Sequence, residues 1–173
     1  KLYGCENVGF HMGADFMTID FDRELSWQQL MEIEQLANEA VRANLPVLTS
    51  FPDEEALKAM EYRSKLELTE NVRIVEIPGI DVCACCAPHV KQTGEIGLIK
   101  ILDFERHRGG VRLSLACGMA ALRDYRVKQD NISAISQALS ARRHETAAAV
   151  ERMLAEQQKG KERIAAPVSY THL

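Results

Sequence analysis

The side chains best suited to chemistry lie together in one short stretch of the sequence. Three cysteines and a histidine fall within seven positions: Cys83, Cys85, Cys86 and His89. Thiolate and imidazole are the ligands that zinc prefers in proteins. Cys85 and His89 are four residues apart, so one metal ion could be reached by both from a helical turn or from a loop. Cys83 is a competing ligand, and for any single cysteine a small buried apolar role is the ordinary alternative. Two ligands also fall short of the three that a catalytic zinc usually has.

The bulk composition sets limits on the kind of protein. The chain has 173 residues, of which 46% are apolar and 27% charged, enough for one packed domain with an appendage. The net charge of -4 argues against a strongly cationic, non-specific nucleic-acid binder. Five cysteines make a poor disulfide framework, and there is no long apolar run or signal peptide. These features favour a cytoplasmic protein with reduced thiols.

Both ends of the chain suggest a fragment. The first residue is Lys1 rather than methionine, which predicts that a preceding segment is missing. Residues 167–173 have no visible relation to the sequence before them and resemble translated adaptor sequence. We therefore expect these last residues to be non-native.

Hydrophobic periodicity predicts an α+β fold, with a mainly antiparallel sheet packed with helices and a C-terminal helical segment. Alternating residues predict strands over residues 16–21, 47–51, 72–77, 96–104 and 111–117. Ser26 and Gln29 form a capping-box pattern at the start of a helix that ends near Asn44, and a shorter helix follows over residues 53–60. Strand signals stop after Gly118, so we predict a domain over 1–118, a helical extension over 119–158 and a tail over 159–173.

The residues that follow His89 carry a resemblance to a known family. They are Thr93-Gly94-Glu95-Ile96-Gly97 and then Ile99-Lys100-Ile101, with Gly110-Val111-Arg112 and Gly118-x-x-Ala121 further on. Together with Cys85-x-x-x-His89, this run closely resembles the second half of the editing domain of alanyl-tRNA synthetase. It is similar also to the free-standing alanyl-tRNA editing proteins of the AlaX type. The resemblance extends over roughly residues 1–126 and includes Gly9 to Gly13 and Thr18 to Phe21.

The resemblance implies an aminoacyl-tRNA deacylase that protects translation fidelity. Such a hydrolase removes serine, or glycine, from mischarged tRNA(Ala), because the synthetase pocket discriminates weakly against a small added hydroxyl. The family's Zn2+ is held by a His-x-x-x-His pair and a Cys-x-x-x-His pair, and the second pair corresponds to Cys85 and His89. The first pair has no counterpart here and is expected before Lys1. The fragment alone is therefore expected to hold zinc weakly and to be inactive.

The same resemblance assigns roles around the metal. His11 and Thr18 would line the amino-acid pocket, although a structural role for His11 fits equally well. Gly94 and Gly97 would shape the backbone beside the metal. Glu95 would be either a catalytic base or a structural hydrogen-bond acceptor.

Candidate RNA contacts lie further along the chain. Lys100, Arg108 and Arg112 belong to a locally basic region that could bind phosphate. A solvated hairpin is the alternative for this region.

Two other functions remain open. One is the related editing domain of threonyl-tRNA synthetase, which shares the fold and the metal pattern. The other is a non-catalytic RNA-binding or oligomerisation module of the same fold. The amphipathic helices after Met119 would suit a homo-oligomer contact in either case.

Overall fold

The computed structural model describes residues 2–14, 16–64 and 71–165. Its strands are β1 (Asn7–Met12), β2 (Met17–Phe21), β3 (Leu48–Ser50), β4 (Ile74–Ile77), β5 (Asp81–Ala84), β6 (Ile99–His107) and β7 (Gly110–Cys117). Its helices are α1 (Trp27–Arg42), α2 (Glu54–Ala59), α3 (Met119–Ala138) and α4 (Thr146–Ala165), with short 3-10 helices at Thr93–Ile96 and Arg143–Glu145.

A four-stranded antiparallel sheet forms the centre of the first part of the chain, in the order β1-β2-β7-β6. Along β7, Val111, Leu113 and Leu115 are buried, while the residues between them point to the opposite face. The buried face packs with Leu25 and Leu30 to form the main core. The opposite face carries polar side chains.

Helix α1 covers the core and also closes one edge of the sheet. Ser26 caps it in the predicted capping box, where Gln29 N donates to Ser26 Oγ. Further along the helix, Asn38 Oδ1 accepts from Ile99 N at 2.9 Å, and Asn38 Nδ2 donates to Ile99 O at 2.7 Å. Since β6 is an edge strand, these bonds satisfy backbone groups that would otherwise be free to pair with another chain.

A second, three-stranded antiparallel sheet has the order β3-β4-β5. Ile74 and Val75 of β4 are almost fully buried. The ladder between β4 and β5 continues past the strand ends, because Cys85 N donates to Arg73 O at 3.1 Å. This sheet therefore presents the cysteine cluster at its edge.

The chain divides into two compact units, Lys1–Leu122 and Arg123–Leu173. The second unit contains most of α3 and all of α4, and Thr146 and Ala149 are buried within it. Over the described ranges, no helix combines the length and the apolar character needed to cross a membrane. The residues expected to be non-native, 167–173, lie outside those ranges.

The predicted α+β class is confirmed, with antiparallel sheets followed by C-terminal helices. The prediction missed β1 and β5, and the strand predicted from residue 96 begins at Ile99. The reason for the late start is local: Thr93–Ile96 forms a 3-10 helix, and Gly97 follows it with a φ of 80°. A positive φ interrupts an extended strand, and glycine adopts it without strain.

Candidate functional site

The loop after β5 holds Cys85 at its start. One guanidinium nitrogen, Arg73 Nη1, donates to Cys85 O at 2.9 Å and to Ala87 O at 2.8 Å. The Cys85 amide is bonded in turn to the backbone of Arg73. A single arginine therefore fixes two carbonyls of the Cys-x-x-x-His loop, and the loop is ordered by charge-assisted hydrogen bonds.

The His89 ring is exposed and has a defined hydrogen-bond partner. Its Nδ1 lies 2.8 Å from Ala87 O, the same carbonyl that Arg73 binds. A carbonyl oxygen only accepts, so Nδ1 carries the proton and donates. The lone pair of a neutral ring is then on Nε2. Metal-binding histidines characteristically donate their second ring nitrogen to a carbonyl or carboxylate in this way.

The loop offers two side chains of the kinds that bind zinc. Cys85 and His89 offer sulfur and nitrogen, the atoms that zinc prefers. No group of three or more His, Cys, Asp or Glu that could hold a metal occurs within the described ranges. Cys83 is the weaker candidate of the two thiols, because burial, together with the Asp81 carboxylate, raises the pKa of its thiol. A raised pKa disfavours the thiolate that binds metal.

The Thr93–Ile96 turn is anchored to the end of α1 through a buried threonine. Thr93 is only 2% exposed. Its hydroxyl donates to Ala40 O at 2.7 Å and accepts from Leu45 N at 2.8 Å, while Thr93 N donates to Leu45 O at 2.9 Å. Ala40 O is one of the last carbonyls of the helix, which lack partners within it. Thr93 therefore satisfies the helix end and fixes the turn with the same hydroxyl.

Two glycines of this turn are required by close contacts. A Cβ at Gly94 would overlap the side chain of Asn44, whose Oδ1 accepts from Gly94 N at 3.2 Å. A Cβ at Gly97 would lie 3.3 Å from the Cα of Gly118. A side chain at either position would therefore crowd its neighbour, and the predicted role of Gly94 and Gly97 beside a metal stays a prediction.

Glu95 is bound to the backbone of its own turn. Its Oε1 accepts from Lys91 N at 3.1 Å and from Gln92 N at 3.0 Å. The two predicted roles of Glu95 are catalytic base and structural hydrogen-bond acceptor. These contacts are of the second kind, because the carboxylate holds the segment that joins His89 to the turn.

His11 and Thr18, the predicted pocket residues, are brought together on the four-stranded sheet. They are directly paired across β1 and β2, and Thr18 pairs with Ser114 on its other side. His11 is exposed and Thr18 half-buried. The hydrogen bonds of the Cys85 to His89 loop run to Arg73 and Ala87 rather than to this pair.

The same polar face of the sheet carries a charge cluster that the sequence did not reveal. Arg112 binds Asp20 through two hydrogen bonds, Nε to Oδ1 at 2.7 Å and Nη2 to Oδ2 at 2.8 Å. Arg112 Nη2 also lies 3.1 Å from His107 Nε2. The hydrogen bonds from Arg112 hold the pKa of Asp20 below its ordinary value, against the raising effect of desolvation. Gly9 leaves room for the Asp20 carboxylate, which a Cβ there would overlap.

The three predicted RNA contacts lie in different environments. Lys100 Nζ contacts both carboxylate oxygens of Glu34, at 2.8 and 3.0 Å. Arg112 is occupied by Asp20. Arg108 is exposed at the tip of the β6–β7 hairpin, where its φ is 48°. Of the three, Arg108 is the most exposed, whereas Lys100 and Arg112 are half-buried.

Comparison with known sequences shows which proteins this chain is similar to. Residues 72–113, which include the Cys85 to His89 loop and the Thr93 turn, match the family described as threonyl and alanyl tRNA synthetase second additional domain. This part of the chain is similar to that domain, and the chain as a whole is distantly similar to alanyl-tRNA editing proteins and alanine–tRNA ligases.

The relatives are more specific. Over 137 residues the chain is 34% identical to the alanyl-tRNA editing protein AlaX-L of Pyrococcus horikoshii, a match that covers 72% of this chain and 33% of that protein. Over 156 residues it is 35% identical to the alanine–tRNA ligase of Halobacterium salinarum, covering 86% of this chain and 17% of the ligase. The ligase of Methanothermobacter thermautotrophicus is 36% identical over 122 residues, 66% of this chain and 14% of that ligase. The chain thus spans a third or less of each of these relatives, and the predicted family resemblance is confirmed.

Sequence reasoning overlooked the residues that hold the site in place. Arg73 had no distinguishing pattern, since its bonds to Cys85 O and Ala87 O are long-range and made to backbone. The sequence marks Asn44 only as the end of a helix, although its φ of 50° and its contact with Gly94 make it part of the turn. Asparagine after a helix is a signal for this left-handed position, and could have suggested such a role.

Proposed function

We propose that this chain is part of a zinc-dependent editing hydrolase that removes serine, and also glycine, from mischarged tRNA(Ala) in the cytoplasm. The relationship to alanyl-tRNA editing proteins supports the reaction class. The observation that carries the proposal is the hydrogen bond from His89 Nδ1 to Ala87 O, which leaves Nε2 for a metal. Cys85 lies in the same arginine-bound loop.

Cys85 and His89 would hold the zinc, with further ligands needed beyond this pair. Bound zinc would supply Lewis acidity, which polarises a carbonyl or a water molecule. Around it, Thr93 and Glu95 fix the adjoining turn to α1 and to its own backbone. Gly94 keeps that turn close to Asn44.

We assign His11 and Thr18 to recognition of the aminoacyl group. Both side chains can hydrogen-bond a serine hydroxyl, and they face each other on neighbouring strands. A pocket that binds a hydroxyl directly discriminates strongly against a substrate without one. Such a pocket would favour serine over alanine, as an editing site requires, and it would act more weakly on glycine, which also has no hydroxyl.

Binding of the tRNA would draw on Arg108, with Lys100 and Arg112 contributing if their ion pairs rearrange. We also propose that the editing domain covers residues 1–118, followed by the helical extension predicted over 119–158, whose last helix, α4, continues to Ala165. Exposed apolar residues on the extension, such as Tyr125 and Leu154, would suit a homo-oligomer contact.

The test is made on the protein expressed from its complete gene. We expect Cys85→Ala to lower both zinc affinity and the rate of seryl-tRNA(Ala) deacylation by at least about tenfold, since even outer-shell partners contribute 10- to 100-fold. Cys86→Ala is the matched control, because Cys86 is an exposed neighbouring thiol. Undiminished zinc content and turnover in Cys85→Ala would refute the assignment.

A non-catalytic RNA-binding module is the second candidate. It is favoured by one observation: within the described ranges no third metal-binding side chain joins Cys85 and His89. RNA binding without deacylation, in the presence of zinc, would support this alternative. Faster deacylation of seryl-tRNA(Thr) than of seryl-tRNA(Ala) would instead indicate the threonyl type.

A further inference from the structure

Two aromatic rings are stacked at the protein surface where α1 begins. The ring centroids of Trp27 and Phe104 are 5.7 Å apart, with 27° between the planes. This is an offset-stacked arrangement of the favourable kind. Trp27 is 43% exposed and Phe104 37%, so the stack retains accessible ring surface. The two residues come from α1 and β6, which pack together, so the stack is preformed on rigid elements.

A cavity of about 500 Å³ is lined by Phe104, one of the two rings of this stack. Its apolar part is formed by Leu25 and Val111, which belong to the main core, and Phe104 and Arg106 also line it. Cavities of a few hundred Å³ with an apolar lining and a few polar groups are of the size that holds small ligands. The volume and the flat aromatic wall suit a nucleobase.

Arg106 is well placed to contact a phosphate at this cavity. Its ion pair with Glu24 has a 3.4 Å separation, and the two side chains are 86% and 60% exposed. An exposed pair of this kind is weak and readily exchanged. Arg108 lies two residues further on, at the tip of the same hairpin. The hairpin thus offers two guanidinium groups to the phosphates of a nucleic-acid strand that passes the aromatic stack.

We propose that this surface, formed by Trp27, Phe104 and Arg106, binds an unpaired nucleotide of single-stranded RNA. The base stacks on the aromatic pair, and its phosphate replaces Glu24 as the partner of Arg106. Stacking is expected to provide most of the affinity, because the chain carries a net charge of -4. This inference rests on the proposed function in one respect: the unpaired 3′ end of tRNA is named as the source of that RNA.

Trp27 is the only tryptophan of the chain and therefore reports on its own site. The probe is a short single-stranded RNA ending in CCA-3′, with inorganic polyphosphate as a charge-matched ligand that has no base. Both are titrated in EDTA, which separates binding from zinc-dependent hydrolysis. We expect the RNA to quench Trp27 fluorescence and polyphosphate to leave it nearly unchanged.

Variants then test each contact by anisotropy of the labelled RNA. Loss of stacking in Phe104→Leu or Trp27→Leu is expected to weaken binding by about 5- to 100-fold. Arg106→Gln is expected to reduce the slope of log affinity against log salt by about 0.7. Phe10→Leu is the control, since Phe10 is an exposed aromatic residue on β1. Thermal melting of each variant checks that it folds.

Equal quenching by polyphosphate and RNA would overturn the proposal, since charge alone would then explain binding. So would folded aromatic variants that bind RNA normally. The Trp27 emission could instead be unchanged by RNA and shift to the blue as the protein concentration rises. That result would identify the surface as a protein–protein contact, and it would also overturn the proposal. Because these measurements involve no hydrolysis, RNA binding can succeed while deacylation fails, and the reverse.

Discussion

The buried hydroxyl of Thr93 provides the sharpest test of how the turn beside the candidate metal loop is held. Thr93→Val keeps the volume of the side chain but removes its bonds to Ala40 O and Leu45 N. A buried donor or acceptor left without a partner costs about 1–3 kcal/mol. With two such groups, partly relieved by water, we expect the free energy of unfolding to fall by about 2–4 kcal/mol. For a domain of this size the melting temperature should drop by about 5–15 °C.

The loss is measured by urea unfolding followed through the fluorescence of Trp27, at the opposite end of α1. Thr49→Val is the matched control, because Thr49 is exposed on β3 and surface substitutions usually change stability by less than about 0.5 kcal/mol. A Thr93→Val protein as stable as the control would refute the anchoring role. An unchanged midpoint with a changed urea dependence would point instead to an altered unfolded state.

Two further predictions follow from the sheet and the helices. Hydrogen bonds from Arg112 lower the pKa of Asp20 in the folded protein. The pair therefore stabilises the fold fully at pH values above 3.8, the ordinary pKa of the carboxyl. This stabilisation is lost as the pH falls through the lower pKa that Asp20 has in the folded protein. Urea midpoints should therefore fall more steeply below about pH 4 in the parent protein than in Asp20→Asn, and equal slopes would contradict this. Gly110→Ala should destabilise by about 1–3 kcal/mol or more, since its Cβ would overlap the Phe21 carbonyl oxygen. Gly160 lies in α4 with open space around its Cα, so Gly160→Ala should be neutral or stabilising by up to about 1 kcal/mol. Calorimetry measures both variants. A Gly160→Ala protein less stable than Gly110→Ala would contradict this description of the packing.

Elements with strong local signals could be predicted from the sequence. The Ser26 and Gln29 capping box fixed the start of α1 to the residue, because both partners lie within one turn. The hairpin between β6 and β7 was equally local, with Arg108 and Gly109 both at positive φ. In contrast, β1 contains a glycine, and its apolar residues are exposed at the edge of the sheet. Its sequence therefore has no clear alternation of buried and exposed residues from which a strand could be predicted.

The candidate site was predictable as a set of residue types but not as a geometry. The Cys85 and His89 spacing identified donors, and the family resemblance gave them a role. The contacts that orient them come from Arg73 and Asn44, which are distant in sequence or bind backbone atoms. Such contacts depend on the pairing of β4 with β5 and on where α1 ends, and neither leaves a short-range mark in the sequence.

Helix α1 links the features on which both proposals depend. Its first residue, Trp27, belongs to the aromatic stack; Asn38 binds the edge of β6; and its last carbonyls receive Thr93. An α-helix rises 1.5 Å per residue, so these 16 residues span about 24 Å as one rigid rod. A substitution at either end can be tested without moving the other, since the Asn38 contacts hold the helix to β6 at a point between its two ends. This independence is why loss of RNA stacking at Trp27 and loss of the Thr93 anchor should be separable in experiment.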